Sequence, residues 1–445
     1  MTDLPARKPA TPPTPSETRP ERRTSLKRLG ALAGLVVVSG PGALLGACGG
    51  GGDATSAPGA APAPASPAPP AAPAAPGGAP SPAPAPAPQA PAAPAPGGPP
   101  TATTLNSSLS VPWGLAFLPD GRMLITQKSG SMVIVSADGT RVESELSGTP
   151  QVVYRAQGGL LDVALDPDFA ADPWVYWTYA EAGDGGQGIA VARGRLAGEA
   201  LTDVAVIYRQ TPKVTGFHQY GSRIVFRGDA TMFVTMGDRA KEEPAQDLAT
   251  SLGKVIRIQR DGSVPADNPV WPAGALPEIW SYGHRDPQGA ALHPVSGELW
   301  ITDHGPQGGD EIDRVVAGAN HGWPIVSYGC PYGASPVNDG CRYGGGVHAP
   351  KFVEPITHWT PTDRLAPAGM TFYTGAMFPE WNGNMLFGTL SGRSLWRIAF
   401  DASGAVTTRE QMFEDVKERM RHVVQASDGA LLVLTDSGKL IRIHR

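Results

Sequence analysis

Short apolar runs separated by polar turns recur along residues 105–445, and they come in pairs, a turn with Gly or Asp followed by one run and then a second. P-D-G-R-M-L-I-T-Q is followed by S-M-V-I-V within 119–135, and W-V-Y-W-T-Y by G-I-A-V-A-R-G-R-L within 174–196. The same figure returns within 229–258, 296–315, 382–398 and 428–443, the last reading D-G-A-L-L-V-L-T-D and then G-K-L-I-R-I. Each run is rich in β-branched and aromatic residues and is bounded by Gly or Asp, which marks strands joined by tight turns. Only 414–420 shows a brief helical spacing. Six units over about 340 residues give about 57 residues each, which suits four-stranded blades with loops. The pattern predicts an all-β, six-bladed β-propeller over 104–445. Residues 105–109 are expected to add a strand to the last blade and close the ring, leaving only short edges.

The first hundred residues change the picture. Residues 51–100 are almost entirely Ala, Pro, Gly and Ser, with Asp53 the one charged residue. Such a segment cannot bury enough apolar surface to offset its ordering entropy. Residues 49–103 are therefore expected to be a disordered tether, partly polyproline II, with a reach of up to roughly 150 Å. Before it, Arg22, Arg23, Lys27 and Arg28 precede an apolar run from 29 to 47. A basic start, an apolar middle and small residues at the end predict a signal peptide over 1–48. A permanent membrane helix is the alternative, although the run barely reaches the ~18–20 residues a span needs. E-R-R-T-S-L-K resembles a twin-arginine signal with Ser25 where Phe is usual, and L-G-A-C resembles a bacterial lipobox. The resemblance implies a lipid on Cys48 and a domain held on the periplasmic side. Gly49 in place of Asp points to the outer membrane.

Composition narrows the function. A net charge of −5 gives no electrostatic reason to expect nucleic acid. Three Cys and no C-x-x-C exclude a disulfide-dense scaffold, zinc ribbons and thioredoxin-type redox motifs. With Cys48 taken by lipid, Cys330 and Cys341 flank a Gly/Pro/Asn loop, which an exported chain is expected to close as a disulfide.

Four long segments carry the chemistry. They are A-Q-G-G-L-L-D-V-A-L-D-P-D-F (156–169), L-G-K-V-I-R-I-Q-R-D-G-S-V-P-A-D-N-P (252–269), P-E-I-W-S-Y-G-H-R-D-P-Q-G-A-A-L-H-P (277–294) and D-H-G-P-Q-G-G-D-E-I-D-R-V-V-A-G-A-N-H-G-W-P (303–324). Together they closely resemble the quinoprotein family of soluble glucose and aldose sugar dehydrogenases, over most of 105–445. The resemblance implies a six-bladed propeller with pyrroloquinoline quinone (PQQ) and Ca²⁺ as cofactors. It implies oxidation of an aldose at C1 to the lactone, with electrons passed to a quinone or cytochrome. A non-catalytic propeller of the same fold and a calcium-dependent lactonase are the alternatives.

PQQ is a flat tricarboxylate, and Arg offers a planar charged fork for a carboxylate. Arg285 and Arg393 match family positions that bind it, and Gln157 matches a polar contact. Asp286 stands where the family pattern has Asn, and is expected to be protonated or turned toward Ca²⁺ or Arg. Thr374 stands near the place of the family's Lys. Calcium takes hard oxygens, often backbone carbonyls at a tight turn. The resemblance implies that the carbonyls of Gly305 and Pro306 hold the catalytic ion and those of Glu311 and His321 a structural one. The family's general base lies four residues before an Arg. Counting back from Arg223 reaches Gln219, which cannot be a base, while five residues back lies His218. A one-residue bulge would bring His218 into place. Asp238 matches the carboxylate that orients the base.

Overall fold

The computed structural model describes residues 97–336 and 339–445. The predicted signal peptide, Cys48 and the tether up to residue 96 lie outside the described residues. Among the described residues no helix is long and apolar enough to cross a membrane.

Among the described residues, twenty-four strands form six four-stranded antiparallel sheets. Five sheets are consecutive in sequence, with inner strands β2 (Pro112–Phe117), β6 (Leu160–Leu165), β10 (Gly221–Phe226), β14 (Pro287–Leu292) and β18 (Pro367–Phe372). The sixth holds β22 (Met420–Gln425), β23 (Leu431–Thr435) and β24 (Leu440–His444), completed by β1 (Thr101–Asn106). Each inner strand packs beside the next, and β22 returns to β2, so the sheets close into a six-bladed propeller. The six sequence pairs are the second and third strands of the six blades.

The closing strand starts earlier than expected, at Thr101 rather than 105, with Thr101 opposite His444 and Thr104 opposite Ile441. Its β-branched Thr residues favour an extended chain. It ends where Asn106 Oδ1 accepts bonds from Ser108 N and Oγ at 2.7 and 2.9 Å, a side-chain turn that competes with the ladder. The helical spacing at 414–420 is only a 3₁₀ turn, Glu414–Val416, bounded by left-handed Phe413 and Lys417.

Apolar faces of neighbouring blades make the core, as where Trp113, Tyr176, Ile224 and Val234 meet. A buried Thr in the second strand links each of several blades to the next. Thr178 Oγ1 donates to Ser222 O at 2.8 Å, Thr235 Oγ1 to Pro287 O at 3.0 Å and Thr302 Oγ1 to Ala368 O at 3.0 Å. Thr126 Oγ1 does the same to Leu161 O. These hydroxyls satisfy carbonyls at the crowded inner ring, where no sheet neighbour is available. Three of them also accept an N–H from the inner strand of their own blade, Gly114 N onto Thr126, Asp162 N onto Thr178 and Arg223 N onto Thr235.

Candidate active site

In an up-and-down blade, the loop before the inner strand and the loop after the second strand open on the same rim. A cleft of about 560 Å³ lies there, lined by loops of four consecutive blades. Gln157 precedes β6, His218 and Gln219 precede β10, Arg285 and Asp286 precede β14, and Arg364 and Ala366 precede β18. His304 to Gly308 and Asp310 follow the second strand of the fourth blade, Leu299–Asp303. The long connection 315–356 reaches the same rim, where Gln307 and Cys330 exchange backbone hydrogen bonds at 3.0 and 3.2 Å. Cys330 and Cys341 form the expected disulfide, and Tyr332 from that loop lines the cleft.

The backbone around His218 and Gln219 is irregular. Gln219 is left-handed at φ 53°, Ser222 at φ 87°, and the β10 ladder slips between Gly221 and Ile224. Simple alternation therefore fails, and both side chains reach the cleft. His218 is exposed there, while Gln219 is buried with its Oε1 unpaired. Gln157 Oε1 accepts the Gln219 N–H. Arg239 fixes the same segment, with Nε donating to His218 O at 3.0 Å and Nη2 to Gly216 O at 2.8 Å.

Asp238 does not bond His218, a correction to the sequence expectation. Its buried carboxylate accepts Trp323 Nε1 at 2.8 Å and the N–H groups of Ala240 and Glu242 at 2.8 and 3.2 Å. Arg239, Ala240 and Glu242 are all left-handed, and the tight turn they make draws the carboxylate onto its own backbone. Burial pushes the Asp238 carboxyl up to about 6, against the opposing pull of Arg285. Asp238 is thus a turn brace, and its neighbour Arg239 positions the His218 backbone.

Arg285 is buried, and its two terminal nitrogens make three hydrogen bonds while Nε makes none. Nη1 donates to His304 O and Gly305 O at 3.0 and 2.8 Å, and Nη2 to Tyr332 Oη at 3.1 Å. Asp303 anchors the backbone of this pair, accepting Arg285 N at 2.9 Å and Asp286 N at 2.6 Å. Asp286 has no Arg hydrogen-bond or ion-pair partner among the described residues. It accepts Gly221 N at 3.0 Å and Gln288 Nε2 at 3.1 Å, with His304 Nδ1 3.6 Å from Oδ2. Its charge is directed into protein donors rather than into the cleft. Arg393 is exposed, left-handed and outside the cleft lining. Thr374 N donates to Gln425 Oε1, also outside that lining. Sequence reasoning passed over Tyr332 and Arg364, whose place on the rim depends on how their loops return to it.

Gly305 and Pro306 line the cleft as expected, but the Gly305 carbonyl is held by Arg285. Next to them lies a small cavity of about 10 Å³, lined in part by Asp303, Glu311, His321 and His348. Burial, reinforced by Asp313, pushes the Asp303 and Glu311 carboxyls well above the usual carboxylate range. Glu311 Oε1 and His321 Nδ1 are buried without a partner. His348 Nε2 is 3.9 Å from Glu311 Oε1, and His321 Nδ1 3.9 Å from Asp313 Oδ1. Among the described residues no three His, Cys, Asp or Glu side chains converge as metal ligands.

Comparison with known proteins gives a consistent picture. The profile of the Glucose / Sorbosone dehydrogenase family matches residues 109–442. The chain is 38% identical over 347 residues to the aldose sugar dehydrogenase YliI of Escherichia coli (strain K12), covering 76% of this chain and 91% of that protein. A crystal structure of a glucose dehydrogenase superposes with TM-score 0.73 at 38% identity, over 78% of this chain and 99% of the other. The PQQ-bound aldose sugar dehydrogenase of Streptomyces coelicolor gives TM-score 0.63 at 27% identity, over 79% and 99%.

Proposed function

Because the chain belongs to the glucose / sorbosone dehydrogenase family, we propose that the rim cleft binds PQQ and oxidises an aldose at C1 to the lactone. The observation that carries this is the convergence of His218, Arg285 and the Gly305–Pro306 turn on one cleft. The residues fit a flat polyanion. Arg285 brings positive charge to the wall, Tyr332 adds an aromatic surface, and the Asp286 carboxylate is directed into Gly221 and Gln288. When bound, PQQ supplies the acceptor for the hydride removed from C1. His218 takes the proton of the anomeric hydroxyl, the role an exposed imidazole on the cleft suits. Arg239 holds the His218 carbonyl, and so limits the wandering of the base. Electrons then pass to a quinone or cytochrome. With PQQ present and a ¹³C1-labelled aldose, NMR should find the lactone carbonyl at C1. Oxidation at another carbon would reject this regiochemistry, and binding without turnover would favour the non-catalytic propeller.

Calcium needs a separate account. The Gly305 carbonyl as it stands is engaged by Arg285, so that position does not fit a cation and no step is derived through one. The small cavity beside it fits better. Its carboxylates crowd one another, and Ca²⁺ favours hard oxygens of this kind. The Glu311 carboxylate, together with the backbone carbonyls of Glu311 and His321 that the family resemblance implies, would hold a structural ion there. Ca²⁺ is expected to raise the melting temperature of chelator-treated protein. Glu311→Gln should abolish that rise while stabilising the metal-free form, because it removes one of the repelling carboxylates. Equal Ca²⁺ responses in both proteins, read by calorimetry, would place the ion elsewhere.

A further inference from the structure

Arg364 is the cation that the cleft leaves uncommitted. The tip of Arg285 is engaged by two carbonyls and a phenol oxygen. Arg364 lines the same cleft, is exposed, and has no hydrogen-bond or ion-pair partner among the described residues. Its neighbour Asp363 does not neutralise it, since Oδ2 accepts Thr360 N at 3.0 Å and Thr360 Oγ1 at 2.9 Å.

The backbone that presents Arg364 is firmly held. Leu365 is buried in the cluster with Trp359 and Phe387. Its carbonyl accepts Ser391 N at 3.0 Å and Gly392 N at 3.1 Å, and Leu390 N donates to Ala366 O at 3.0 Å. Asp310 ties this connection to the Gly305 turn, accepting Ala366 N at 2.9 Å and Gly305 N at 3.1 Å. A guanidinium held out from a pinned backbone, with all its donors available, is suited to paired bonds with a carboxylate.

Resting on the quinone reading of the same cleft, we propose that Arg364 receives a carboxylate there, either one of the carboxylates of PQQ or that of an acidic sugar. It does so in the place the sequence assigned to Arg393. The test titrates PQQ into the purified full-length wild type, Arg364→Ala, Arg364→Lys and Arg393→Ala proteins, following tryptophan quenching. Glucuronate binding is measured in parallel by calorimetry, which needs no quinone. Loss of a charged hydrogen-bond pair should weaken the affected ligand by about tenfold or more. Lys should recover part of it, and Arg393→Ala should bind like the wild type. Weakened PQQ binding assigns the carboxylate to the cofactor, and weakened glucuronate binding with unchanged PQQ assigns it to the sugar. A folded Arg364→Ala protein that binds both like the wild type overturns the assignment. Wild-type protein that takes up no PQQ overturns the quinone reading instead, while the glucuronate arm still decides on Arg364.

Discussion

His218→Ala is expected to lower kcat by ~10²–10⁴, the usual size of a general-base contribution. PQQ affinity should hardly change, because His218 makes no side-chain hydrogen bond that supports the cleft wall. Gln219→Ala is the informative control. Gln219 also lines the cleft and has a buried unpaired Oε1, but an amide cannot take the proton. Its loss should cost far less turnover than that of His218. Asp238→Asn should act differently from both. It places an NH₂ against a cluster of three N–H donors, which costs about 1–3 kcal/mol of stability. Stopped-flow reduction kinetics with saturating PQQ would read the chemical step alone. Near-wild-type kcat for His218→Ala would move the base elsewhere on the rim.

The second large effect concerns stability. Arg223→Leu is expected to destabilise the propeller by roughly 3–5 kcal/mol, because it strands a buried carboxylate. Arg223 is 2% exposed, with Nη1 2.9 Å from Asp162 Oδ1 and its guanidinium 3.9 Å from the Trp113 ring centre. Nε and Nη2 also donate to Gln288 O and Arg421 O, at 2.8 and 3.2 Å. One side chain thus joins the second, third, fourth and sixth blades at the axis. Asp162→Leu should cost a similar amount, since it leaves a buried guanidinium. The double replacement by Leu should cost much less than the sum, the signature of two groups that act as a pair. Urea unfolding of the two single variants and the double variant would measure this. A single-variant change within about 0.5 kcal/mol, the range of ordinary surface substitutions, would contradict it.

The blades were legible in the sequence because their second strands are buried on both faces and read as short continuous apolar runs between turns, as in Met123–Gln127 and Leu431–Thr435. The recurring Thr was visible too, in L-I-T-Q, Y-W-T-Y, F-V-T-M and W-I-T-D, and its meaning is the hydroxyl bridge to the next blade. The backbone irregularity that the count from Arg223 required was legible, and the left-handed residues at 219 and 222 provide it. Asp238 was misjudged because its partners are backbone N–H groups two and four residues on, brought in by left-handed residues that leave no compositional mark. Arg393 was misjudged for a related reason: a motif fixes sequence position, but the turn at φ 51° decides where the side chain goes. Tyr332 depends on a connection pinned by a disulfide and by the Gln307–Cys330 bridge, contacts that sequence spacing does not encode.

The most direct test of the quinone site is reconstitution. Purified protein should be stripped with a chelator, supplied with PQQ and Ca²⁺, and assayed with an artificial dye acceptor across a broad aldose panel. Dye reduction that requires both PQQ and sugar, and that falls by ~10² or more in His218→Ala, is the predicted result. A folded protein that binds no PQQ and turns over no aldose would contradict it.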